Sequence, residues 1–485
     1  MRLDALLARN DLDPALAGLD IAGLSADSRA IGENFAFFAI PGHAGDGLSY
    51  VTDAKARGAV VVVAQRHADC ALPLIVVDDV RAAIAHAAAR FYPRQPQTIV
   101  AVTGTSGKTS VVAFLRQIWA AMGHEAASLG TVGVVDSKGA HYGALTTPGP
   151  VELHKILDEL AGRGVTHLAM EASSLGIDQR RLDGVRLVAA GFTNFSRDHL
   201  DHHRDMEDYF AAKMRLFDTL LQPGQTAVID ADSDVAARVT GVCAARGLKV
   251  FSVGAKGQSI LLKETSPHAL ATSLKLGLEG LEYKVELPLA GAFQTSNALV
   301  AAGLAFASGD APARVFAALD HLKGAPGRLE LVGARDGAPV FVDYAHKPDA
   351  VEKILATLRP LTKGRLIVVF GCGGDRDKGK RPLMGEIAAR GADLVIITDD
   401  NPRSEQPAAI RAEIMAGARN AGSAAEITEI PDRAEAIGQA VAALRAGDVL
   451  VVAGKGHETG QIVGDRILPF SDHEVVANAL RELGL

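Results

Sequence analysis

Residues 104–110 read GTSGKTS and stand between an apolar run, TIVAV, and a run with helical periodicity, VVAFLRQIWAAMG. Glycines here let backbone N–H groups curl around phosphate oxygens, while Lys108 supplies a cation and Thr109 a hydroxyl that can bind Mg²⁺. The pattern G-x-x-G-K-T between a strand and a helix therefore predicts a phosphate loop that binds ATP or GTP. The loop residues expected at the nucleotide are Gly104, Thr105, Ser106, Gly107, Lys108, Thr109 and Ser110.

Glu171 ends the apolar run HLAME, residues 167–171. In α/β folds, catalytic groups stand at the carboxyl ends of strands, where a carboxylate can bind Mg²⁺ directly or through water. Glu171 could instead cap the turn that follows, and the sequence leaves both interpretations open.

A second polar cluster, DHLDHH, precedes a helical run. Its side chains suit a metal site, although histidine-rich turns are often only solvated loops. Lys213 in the next helix lies on the apolar stripe between Phe210 and Phe217, where an ammonium group must snorkel to water or find buried partners. The cluster comprises Asp198, His199, Asp201, His202 and His203.

The stretch VIITDDNPRSEQP, residues 395–407, ends an apolar run in acids, a proline and an arginine. The formal net charge of −7 argues against a general nucleic-acid binder, because phosphate affinity is built from excess Lys and Arg. An anionic ligand must therefore be met by local cations. Arg403 either holds such a ligand or pairs with a neighbouring acid.

The elements that position these residues belong to a multidomain globular chain. With 485 residues it is too long for one core. No apolar run approaches the roughly 18 residues that cross a bilayer, and the start, MRLDALLARNDLDPAL, lacks a signal peptide's apolar centre. Cys70, Cys243 and Cys372 are widely spaced and form no disulfide or metal pattern, which predicts a cytoplasmic protein.

Strand-like and helical runs alternate along most of the chain, which predicts an α/β fold with mostly parallel sheets. The stretch YPRQPQ reads as a linker and LKGAPGRLEL as a second boundary. Near residues 259–290, shorter alternating runs indicate an antiparallel patch. We therefore expect three domains, at residues 1–93, 94–325 and 326–485.

Together these motifs resemble the Mur ligases, cytoplasmic ATP-dependent enzymes that extend the peptide of the cell-wall precursor. The resemblance covers essentially the whole chain, and the motifs that carry it in the family's order are GTSGKT, EASS, DHLDHH, AAKMRLF, FQTSNAL, GRLE, DYAHKPDA, GCGGDRDKGKRPLM, DNPR and AGKGHE. It implies an N-terminal sugar-nucleotide-binding α/β domain, a central P-loop ATPase-like domain with a parallel sheet, and a C-terminal Rossmann-like domain that binds an amino acid. Within the family, the motifs resemble those of members that add meso-2,6-diaminopimelate to UDP-N-acetylmuramoyl-L-alanyl-D-glutamate.

The resemblance also implies residue roles. Charge on the transferred phosphoryl group would be stabilised by Lys108 and by Mg²⁺, the metal being held by Thr109, Glu171, His199 and a carbamylated Lys213 (N6-carboxylysine). Further nucleotide contacts would come from Asn297, Arg328, Asp343 and His346. The nucleotide-sugar peptide would be bound by Ser28, His43, Ala44, Gly45, Thr146, Thr147, Ser173, Gln179 and Arg181. Diaminopimelate would be bound by Arg376, Asp400, Asn401, Pro402, Arg403, Gly454 and Glu458.

The chain departs from the family pattern at three positions. The phosphate loop usually has Asn where Ser106 stands, a glycine often stands where Arg204 follows DHLDHH, and related enzymes often have Asn at the position of Leu145. The first two departures leave the Lys, Thr and His residues intact, whereas Leu145 puts one contact to the nucleotide-sugar peptide in question.

Three other functions compete with this reading. Folylpolyglutamate synthase lacks the sugar-nucleotide domain that DSR and GHAGDG resemble. A Mur ligase that adds lysine at the same step differs only in the C-terminal site. A P-loop nucleotide switch would make no covalent product. The expected partners are small molecules, with no nucleic acid and no membrane, and the expected state is a monomer.

Overall fold

The computed structural model describes residues 1–42, 45–141, 145–198, 200, 202–268 and 270–482. The chain packs into two compact units. The first consists of Met1–Lys263, Leu276–Tyr283 and Ser296–Ala318, and the second of Glu264–Lys275, Lys284–Thr295 and the chain from Leu319 onward. The predicted domain boundaries after residues 93 and 325 are not tested by this division and stay predictions.

The N-terminal part of the first unit is a parallel sheet in the order β1-β2-β3-β4. Its strands are β1 Gly23–Ser25, β2 Phe35–Phe38, β3 Ala59–Ala64 and β4 Leu74–Val76. Its helices are α1 Leu3–Leu7, α2 Pro14–Ala17, α3 Val51–Ala56 and α4 Val80–Phe91, with 3₁₀ turns at Ser28–Ala30 and Gly47–Tyr50. Ala36 and Phe38 of β2 pack in one core cluster and Phe37 packs in another, because side chains alternate across a strand. Both faces of this sheet are therefore covered.

A second sheet follows the linker. In the described residues its order is β15-β14-β13-β12-β11-β10-β5-β9-β6-β7-β8. The strands are β5 Thr98–Thr103, β6 Ala126–Gly130, β7 Gly133–Asp136, β8 Gly139–His141, β9 His167–Glu171, β10 Ala189–Phe192, β11 Thr226–Asp230, β12 Lys249–Gly254, β13 Ile260–His268, β14 Ala271–Leu278 and β15 Leu281–Leu287. The central strands pair in parallel, so the carboxyl ends of β10, β5 and β9 share one edge.

The helices around this sheet are α5 Lys108–Met122, α6 Pro150–Gly162, α7 Ser174–Asp178, α8 Met206–Arg215, α9 Ala236–Ala245, α10 Ala292–Ala307 and α11 Pro312–Leu319, with a π-helical turn at Leu216–Leu220. Helix α5 ends at Met122, and Gly123, with φ of 91°, is its left-handed C-cap. Within the described residues, no helix combines the length and apolarity needed to cross a membrane.

The second unit contains a sheet in the order β16-β17-β21-β18-β19-β20, in which only β16 is antiparallel to its neighbour. The strands are β16 Glu330–Arg335, β17 Ala338–Asp343, β18 Leu366–Phe370, β19 Leu394–Ile397, β20 Glu426–Glu429 and β21 Val449–Ala453, and a separate hairpin is formed by β22 Gly460–Val463 and β23 Arg466–Pro469. The helices are α12 Pro348–Leu358, α13 Lys380–Gly391, α14 Pro407–Asn420, α15 Arg433–Ala442 and α16 Asp472–Glu482, with a 3₁₀ turn at Arg359–Leu361. Separate core clusters cover the two faces. The predicted α/β class with parallel sheets is confirmed.

Candidate active site

The phosphate loop follows β5 and opens α5, so its backbone N–H groups stand at a helix N-terminus. Gly107 is the N-cap of α5 with φ of 87°, and a Cβ there would lie 2.3 Å from Oδ1 of Asn297. Gly104 has φ of 143°, and a Cβ there would lie 1.9 Å from Oγ1 of Thr193. Space and backbone conformation therefore both require glycine at these positions, and Asn297 lies directly against the loop.

Two lysines donate hydrogen bonds to one carbonyl oxygen of this loop. Nζ of Lys108 lies 2.9 Å from O of Gly104 and 3.0 Å from O of Thr105. Nζ of Lys213 lies 3.0 Å from the same Gly104 oxygen, and 4.3 Å from the centroid of the Tyr209 ring. Lys213 is only 1% exposed, so it finds buried partners rather than snorkelling to water.

Ser106 contacts its surroundings through its backbone. Its N–H donates to Oδ1 of Asn194 at 2.9 Å, and its carbonyl oxygen accepts from Oγ1 of Thr193 at 2.6 Å and from Nδ2 of Asn194 at 3.2 Å. These bonds do not depend on the side chain, so Ser106 can replace the family's Asn without changing them. Thr109 and Ser110, in the first turn of α5, are both buried.

Glu171 ends β9 opposite Val102 of β5 and is almost fully buried. Its Oε1 accepts from the N–H of Thr131 at 2.8 Å, and its Oε2 accepts from the Thr131 hydroxyl at 3.2 Å. Oγ1 of Thr131 lies 3.1 Å from Oγ1 of Thr146. Helix α7 is capped instead by Ser173, so the described structure does not support a turn-capping role for Glu171.

The residues predicted to hold the nucleotide-sugar peptide in the central domain form a hydrogen-bonded network with Glu171. Oγ1 of Thr147 donates to the Glu171 carbonyl oxygen at 3.0 Å and accepts from both N and Oγ of Ser173 at 3.1 Å. Arg181 donates to O of Thr147 at 2.7 Å and, through Nε and Nη2, to Oε1 of Gln179 at 3.2 and 2.7 Å. Thr147, Ser173, Gln179 and Arg181 are therefore assembled beside Glu171.

Four residues of the N-terminal domain were predicted to bind the nucleotide-sugar peptide. Two of them, His43 and Ala44, lie outside the described residues. Ser28 is buried, and its hydrogen bond lowers the pKa of Asp53. The carbonyl oxygen of Gly45 accepts from the N–H of Gly42 at 2.9 Å. In the described part of the chain, no hydrogen bond joins Ser28 or Gly45 to the Thr147 network. Leu145, at the position where relatives often have Asn, is 50% exposed.

The DHLDHH cluster is also partly outside the described residues, since His199 and Asp201 are not covered. His203 is buried, with Nε2 3.0 Å from Oγ of Ser174 and Nδ1 3.6 Å from the Asp208 carboxylate. Arg204 is exposed and pairs with Asp208 at 2.9 Å. Among the described residues, no group of three His, Cys, Asp or Glu side chains is placed to hold a metal, so metal binding by His199 stays a prediction.

In the second unit, the predicted nucleotide residues surround the end of β17. Oδ2 of Asp343 accepts from the N–H of Leu329 at 2.6 Å, and burial raises the pKa of this carboxyl. The Arg328 guanidinium lies 4.5 Å from the Tyr344 ring centroid. Nδ1 of His346 lies 2.8 Å from the Tyr344 carbonyl oxygen, and burial lowers the His346 pKa to about 4. A neutral His346 that donates from Nδ1 keeps Nε2 as an acceptor.

The strands β17, β21, β18 and β19 are consecutive neighbours in this sheet. Their carboxyl ends therefore bring together Asp343, Gly454, the loop at 371–379 and the loop at 398–403, as expected for parallel strands. This edge carries the residues predicted to bind diaminopimelate.

Arg403 has φ of 51° and is held by the β22–β23 hairpin. Its N–H donates to O of Ile462 at 3.1 Å, and its carbonyl oxygen accepts from the N–H of Gly464 at 2.8 Å. Nη1 donates to O of Gly374 at 2.7 Å. No carboxylate of the described residues pairs with Arg403, so the alternative of a neighbouring acid is not supported. Most of its donors remain available for a ligand.

Arg376 is exposed, and its Nη1 lies 3.4 Å from O of Asp375. A Cβ at Gly373 would lie 2.8 Å from Nη1 of Arg403 and 3.9 Å from Cγ of Arg376. A side chain at position 373 would therefore collide with the Arg403 guanidinium.

Arg381 was missed by sequence reasoning. It is fully buried and forms a fork on Glu405, with Nη1 3.1 Å from Oε2 and Nη2 2.9 Å from Oε1, while Nη2 also lies 3.3 Å from O of Gly373. This fork lowers the pKa of Glu405 to about 2. Arg381 therefore ties the loop after β18 to the loop after β19. The only signal was its place near the start of helix α13, within the motif GCGGDRDKGKRPLM.

Lys455 was also missed. Its Nζ lies 2.8 Å from Oδ1 of Asn401, 2.8 Å from O of Gly460, 3.4 Å from Oε2 of Glu458 and 3.6 Å from Oδ1 of Asp400. Nδ2 of Asn401 donates to Oε2 of Glu458 at 2.9 Å. The predicted Asp400, Asn401 and Glu458 are thus brought together around a lysine. Its signal was its place within AGKGHE, directly after a strand.

Comparison with known proteins matches three family models to successive parts of the chain: Mur ligase family, catalytic domain, at residues 20–92; Mur ligase middle domain, at residues 102–305; and Mur ligase, glutamate ligase domain, at residues 327–456. The UDP-N-acetylmuramoyl-L-alanyl-D-glutamate–2,6-diaminopimelate ligase of Bradyrhizobium diazoefficiens is 56% identical over 474 residues, which cover 97% of this chain and 96% of that protein. The chain belongs to the Mur ligase family.

Solved structures agree with this placement. A structure of UDP-N-acetylmuramoyl-L-alanyl-D-glutamate–2,6-diaminopimelate ligase matches this Mur ligase with a TM-score of 0.73 at 31% identity, covering 100% of this chain and 99% of the other. Folylpolyglutamate synthase from Mycobacterium tuberculosis, complexed with ADP and AMPPCP, matches with a TM-score of 0.62 at 19% identity, covering 83% of this chain and 94% of that one. The second likeness shows the fold alone.

Proposed function

We propose that this Mur ligase joins meso-2,6-diaminopimelate to the D-glutamyl carboxylate of UDP-N-acetylmuramoyl-L-alanyl-D-glutamate, with conversion of ATP to ADP and phosphate. The observation that carries the proposal is the C-terminal site, where the Arg403 guanidinium, bonded to one carbonyl oxygen and to no carboxylate of the described residues, stands on the same sheet edge as the Glu458 carboxylate. The far end of diaminopimelate carries a carboxylate and an ammonium group, which these two side chains complement. The family and the named relatives support the same substrates.

Amide formation from a carboxylate and an amine in water requires a better leaving group than hydroxide. In the proposed reaction, a D-glutamyl carboxylate oxygen attacks the terminal phosphorus of ATP, and ADP leaves. The amine then attacks the resulting acyl phosphate, forming a tetrahedral intermediate from which phosphate leaves as the amine loses its proton. The protein contributes positioning and charge stabilisation. Lys108, held at the carbonyl oxygens of Gly104 and Thr105, supplies the cation for the transferred phosphoryl group.

The residues present fit Mg²⁺. This ion prefers oxygen ligands such as carboxylates and hydroxyls. Thr109, in the first turn of α5, and Glu171, at the end of β9, provide them. A Cβ at Gly130 would lie 2.2 Å from Oε1 of Glu171, so the glycine keeps space beside that oxygen. Glu171, Thr109 and His199 would hold the ion together with carbamylated Lys213. When bound, Mg²⁺ neutralises charge on the phosphate oxygens.

The environment of Lys213 supports its carbamylation. Its Nζ and that of Lys108 both contact the Gly104 carbonyl oxygen, so two ammonium groups would share one acceptor in a buried place. The unprotonated amine is the form that reacts with carbon dioxide: its nitrogen bonds to the carbon and loses a proton, which leaves a carbamate. The product is a carboxylate on a lysine stem, which removes the like-charge repulsion and adds an oxygen ligand.

Substrate choice in the C-terminal site rests on Arg403. Lysine lacks the second carboxylate, so its binding would leave the guanidinium desolvated and unpaired. Such a mismatch costs roughly 2 to 5 kcal/mol, or about 30-fold to several-thousand-fold in preference. The proposed site therefore selects diaminopimelate over lysine by this penalty.

A ligation assay tests the proposal. Purified protein is incubated with ATP, Mg²⁺, the nucleotide-sugar dipeptide and one amino acid at a time, and the amide product and ADP are measured together. We expect both products with meso-diaminopimelate. Product with lysine alone would identify the lysine-adding ligase, product from a folate and glutamate would identify a folylpolyglutamate synthase, and ADP release without any amide would indicate a nucleotide switch.

We further propose that the enzyme acts in the cytoplasm as a monomer on small-molecule substrates. The cysteines at positions 70, 243 and 372 are free thiols, which suits a reducing compartment. Sedimentation equilibrium of the purified protein tests the monomeric state.

A further inference from the structure

Lys455 is a cation inside the proposed amino-acid site that none of the predicted roles uses. It is fully buried and lies two positions after Ala453, the last residue of β21. Cβ atoms at the flanking Gly454 and Gly456 would lie 2.7 Å from the Asp400 carboxylate and 2.8 Å from the Tyr344 side chain, and both glycines have positive φ. Only glycine fits at the two positions that flank Lys455. This fixes the position of the backbone from which the lysine side chain extends.

The acceptors around Lys455 account for all of its donors. An ammonium group has three N–H donors, and Nζ is met by the amide oxygen of Asn401, the carbonyl oxygen of Gly460 and the Glu458 carboxylate, with Asp400 just beyond. We call Lys455, Asp400, Asn401 and Glu458 the Lys455 cluster. No donor of this lysine is left for a substrate, so it does not act by touching one.

Lys455 determines the orientation of the Asn401 amide. Oδ1 of Asn401 accepts from Lys455 and also from the N–H of Ile462 at 2.9 Å, so Nδ2 is directed at Oε2 of Glu458. If the Asn401 amide were flipped, the donors of Lys455 and Ile462 would face Nδ2, which is itself a donor. Oδ1 would then face the Glu458 carboxylate oxygen. The lysine thereby fixes Asn401, which in turn fixes one oxygen of Glu458.

Lys455 also sets the charge of the cluster. Asp400 and Glu458 carry two negative charges and Lys455 one positive charge, which leaves a single negative charge to complement one ammonium group. Oε1 of Glu458 accepts no hydrogen bond from the described residues, whereas Oε2 is occupied by Asn401 and Lys455. The cluster therefore presents one oriented carboxylate oxygen.

We infer that Lys455 is a positioning residue for the amine substrate, which holds Asn401 and Glu458 in place and balances the charge of Asp400. The inference deepens the proposed function and rests on it. Other charged or titratable groups also face these carboxylates, and they are Tyr344, Cys372, Lys380 and Arg433.

The test is steady-state kinetics of Lys455→Met, which keeps the length of the side chain and removes the charge. We expect KM for meso-diaminopimelate to rise about 30-fold or more, as when one partner of a buried charge pair is removed, with KM for ATP unchanged. The value of kcat at saturating meso-diaminopimelate should change much less than KM, because the proposed role is to hold the groups that bind the amine. Direct titration of diaminopimelate into the protein should show the same loss of affinity.

A matched control separates positioning from stability. Arg365 precedes β18 and pairs with the buried Asp448 at 2.7 Å, at the opposite end of the sheet, one strand length or roughly 16 Å from the site. Arg365→Met should lower the melting temperature without changing KM. If Lys455→Met does not fold, the charge-balanced double variant Asp400→Asn/Lys455→Met should fold and show a KM raised above that of Asp400→Asn alone, because Asn401 has lost one of its two donors.

Failure of the proposed function and failure of the positioning role give different results. Wild-type protein that makes no amide from diaminopimelate would overturn the proposed function itself. An active wild type together with a folded Lys455 variant of unchanged KM for diaminopimelate would overturn the positioning role alone.

Discussion

Replacement of Arg403 by alanine gives the sharpest test of how this Mur ligase selects its amino acid. One guanidinium nitrogen, Nη1, is occupied by O of Gly374 at 2.7 Å, and the described residues leave the other donors for a ligand. Loss of a bidentate pair with a carboxylate removes two charge-assisted hydrogen bonds of about 1.5–3 kcal/mol each, which are not additive. We therefore expect kcat/KM for diaminopimelate to fall by about 30-fold to several-thousand-fold, the range for a buried charge partner.

The backbone makes this substitution easy to interpret. Arg403 has φ of 51°, a conformation that strains every residue with a Cβ, so arginine and alanine pay a similar cost there. A change in kcat/KM therefore reports on the side chain rather than on the turn. Arg403→Lys should lose an intermediate amount, because it retains the charge without the planar fork.

The assay compares diaminopimelate and lysine as substrates at saturating ATP and nucleotide-sugar dipeptide. Arg466→Ala, on the β22–β23 hairpin that holds Arg403, is the matched control and should behave as wild type. The reasoning fails if Arg403→Ala reduces the use of diaminopimelate and lysine by the same factor, or if it raises KM for ATP as strongly as KM for diaminopimelate.

Three further outcomes are expected. Lys213→Ala should abolish activity, and formate or acetate should restore part of it by standing in for the carbamate; full activity in the variant would contradict the proposed ligand. Glu171→Gln should keep the bond from the Thr131 N–H while losing the charge, so activity should require higher Mg²⁺, and an unchanged Mg²⁺ titration would argue against metal binding. Burial and the neighbouring His124 lower the pKa of His167 from 6.5 to about 4, so its contribution to stability is present above pH 6.5 and is lost as pH falls toward 4. Melting temperatures over that range should fall less steeply for His167→Phe, and equal slopes would refute the assignment.

The sequence located the chemistry of the central domain well. The phosphate loop, the helix that follows it and the strand that ends at Glu171 all lie where the pattern placed them, because local spacing specifies each. The residue that orients Glu171 was not found. Thr131 stands 40 positions earlier in the chain, and nothing in its own neighbourhood indicates a carboxylate partner.

The lengths of the strands at one edge of the central sheet, β13, β14 and β15, were harder to predict from the sequence. The pattern change near residues 259–290 was predicted as short alternating runs, and the structure contains β13, β14 and β15, which have 9, 8 and 7 residues. Polar residues in these strands are largely exposed. The apolar pattern in the sequence is therefore weak, and it marks shorter runs than the strands themselves.

By itself, the sequence determined which residue types are available and which stand at the ends of strands and the starts of helices, because those features depend on neighbours a few positions apart. The tertiary structure decided which of them meet. Lys455 contacts Asn401 across 54 positions and Arg381 contacts Glu405 across 24. These contacts follow from the order β17-β21-β18-β19, which is set by packing of the whole sheet. Motif spacing therefore predicted a phosphate loop and singled out Arg403, whereas the buried lysine that organises the amino-acid site became visible only when the strand ends were placed side by side.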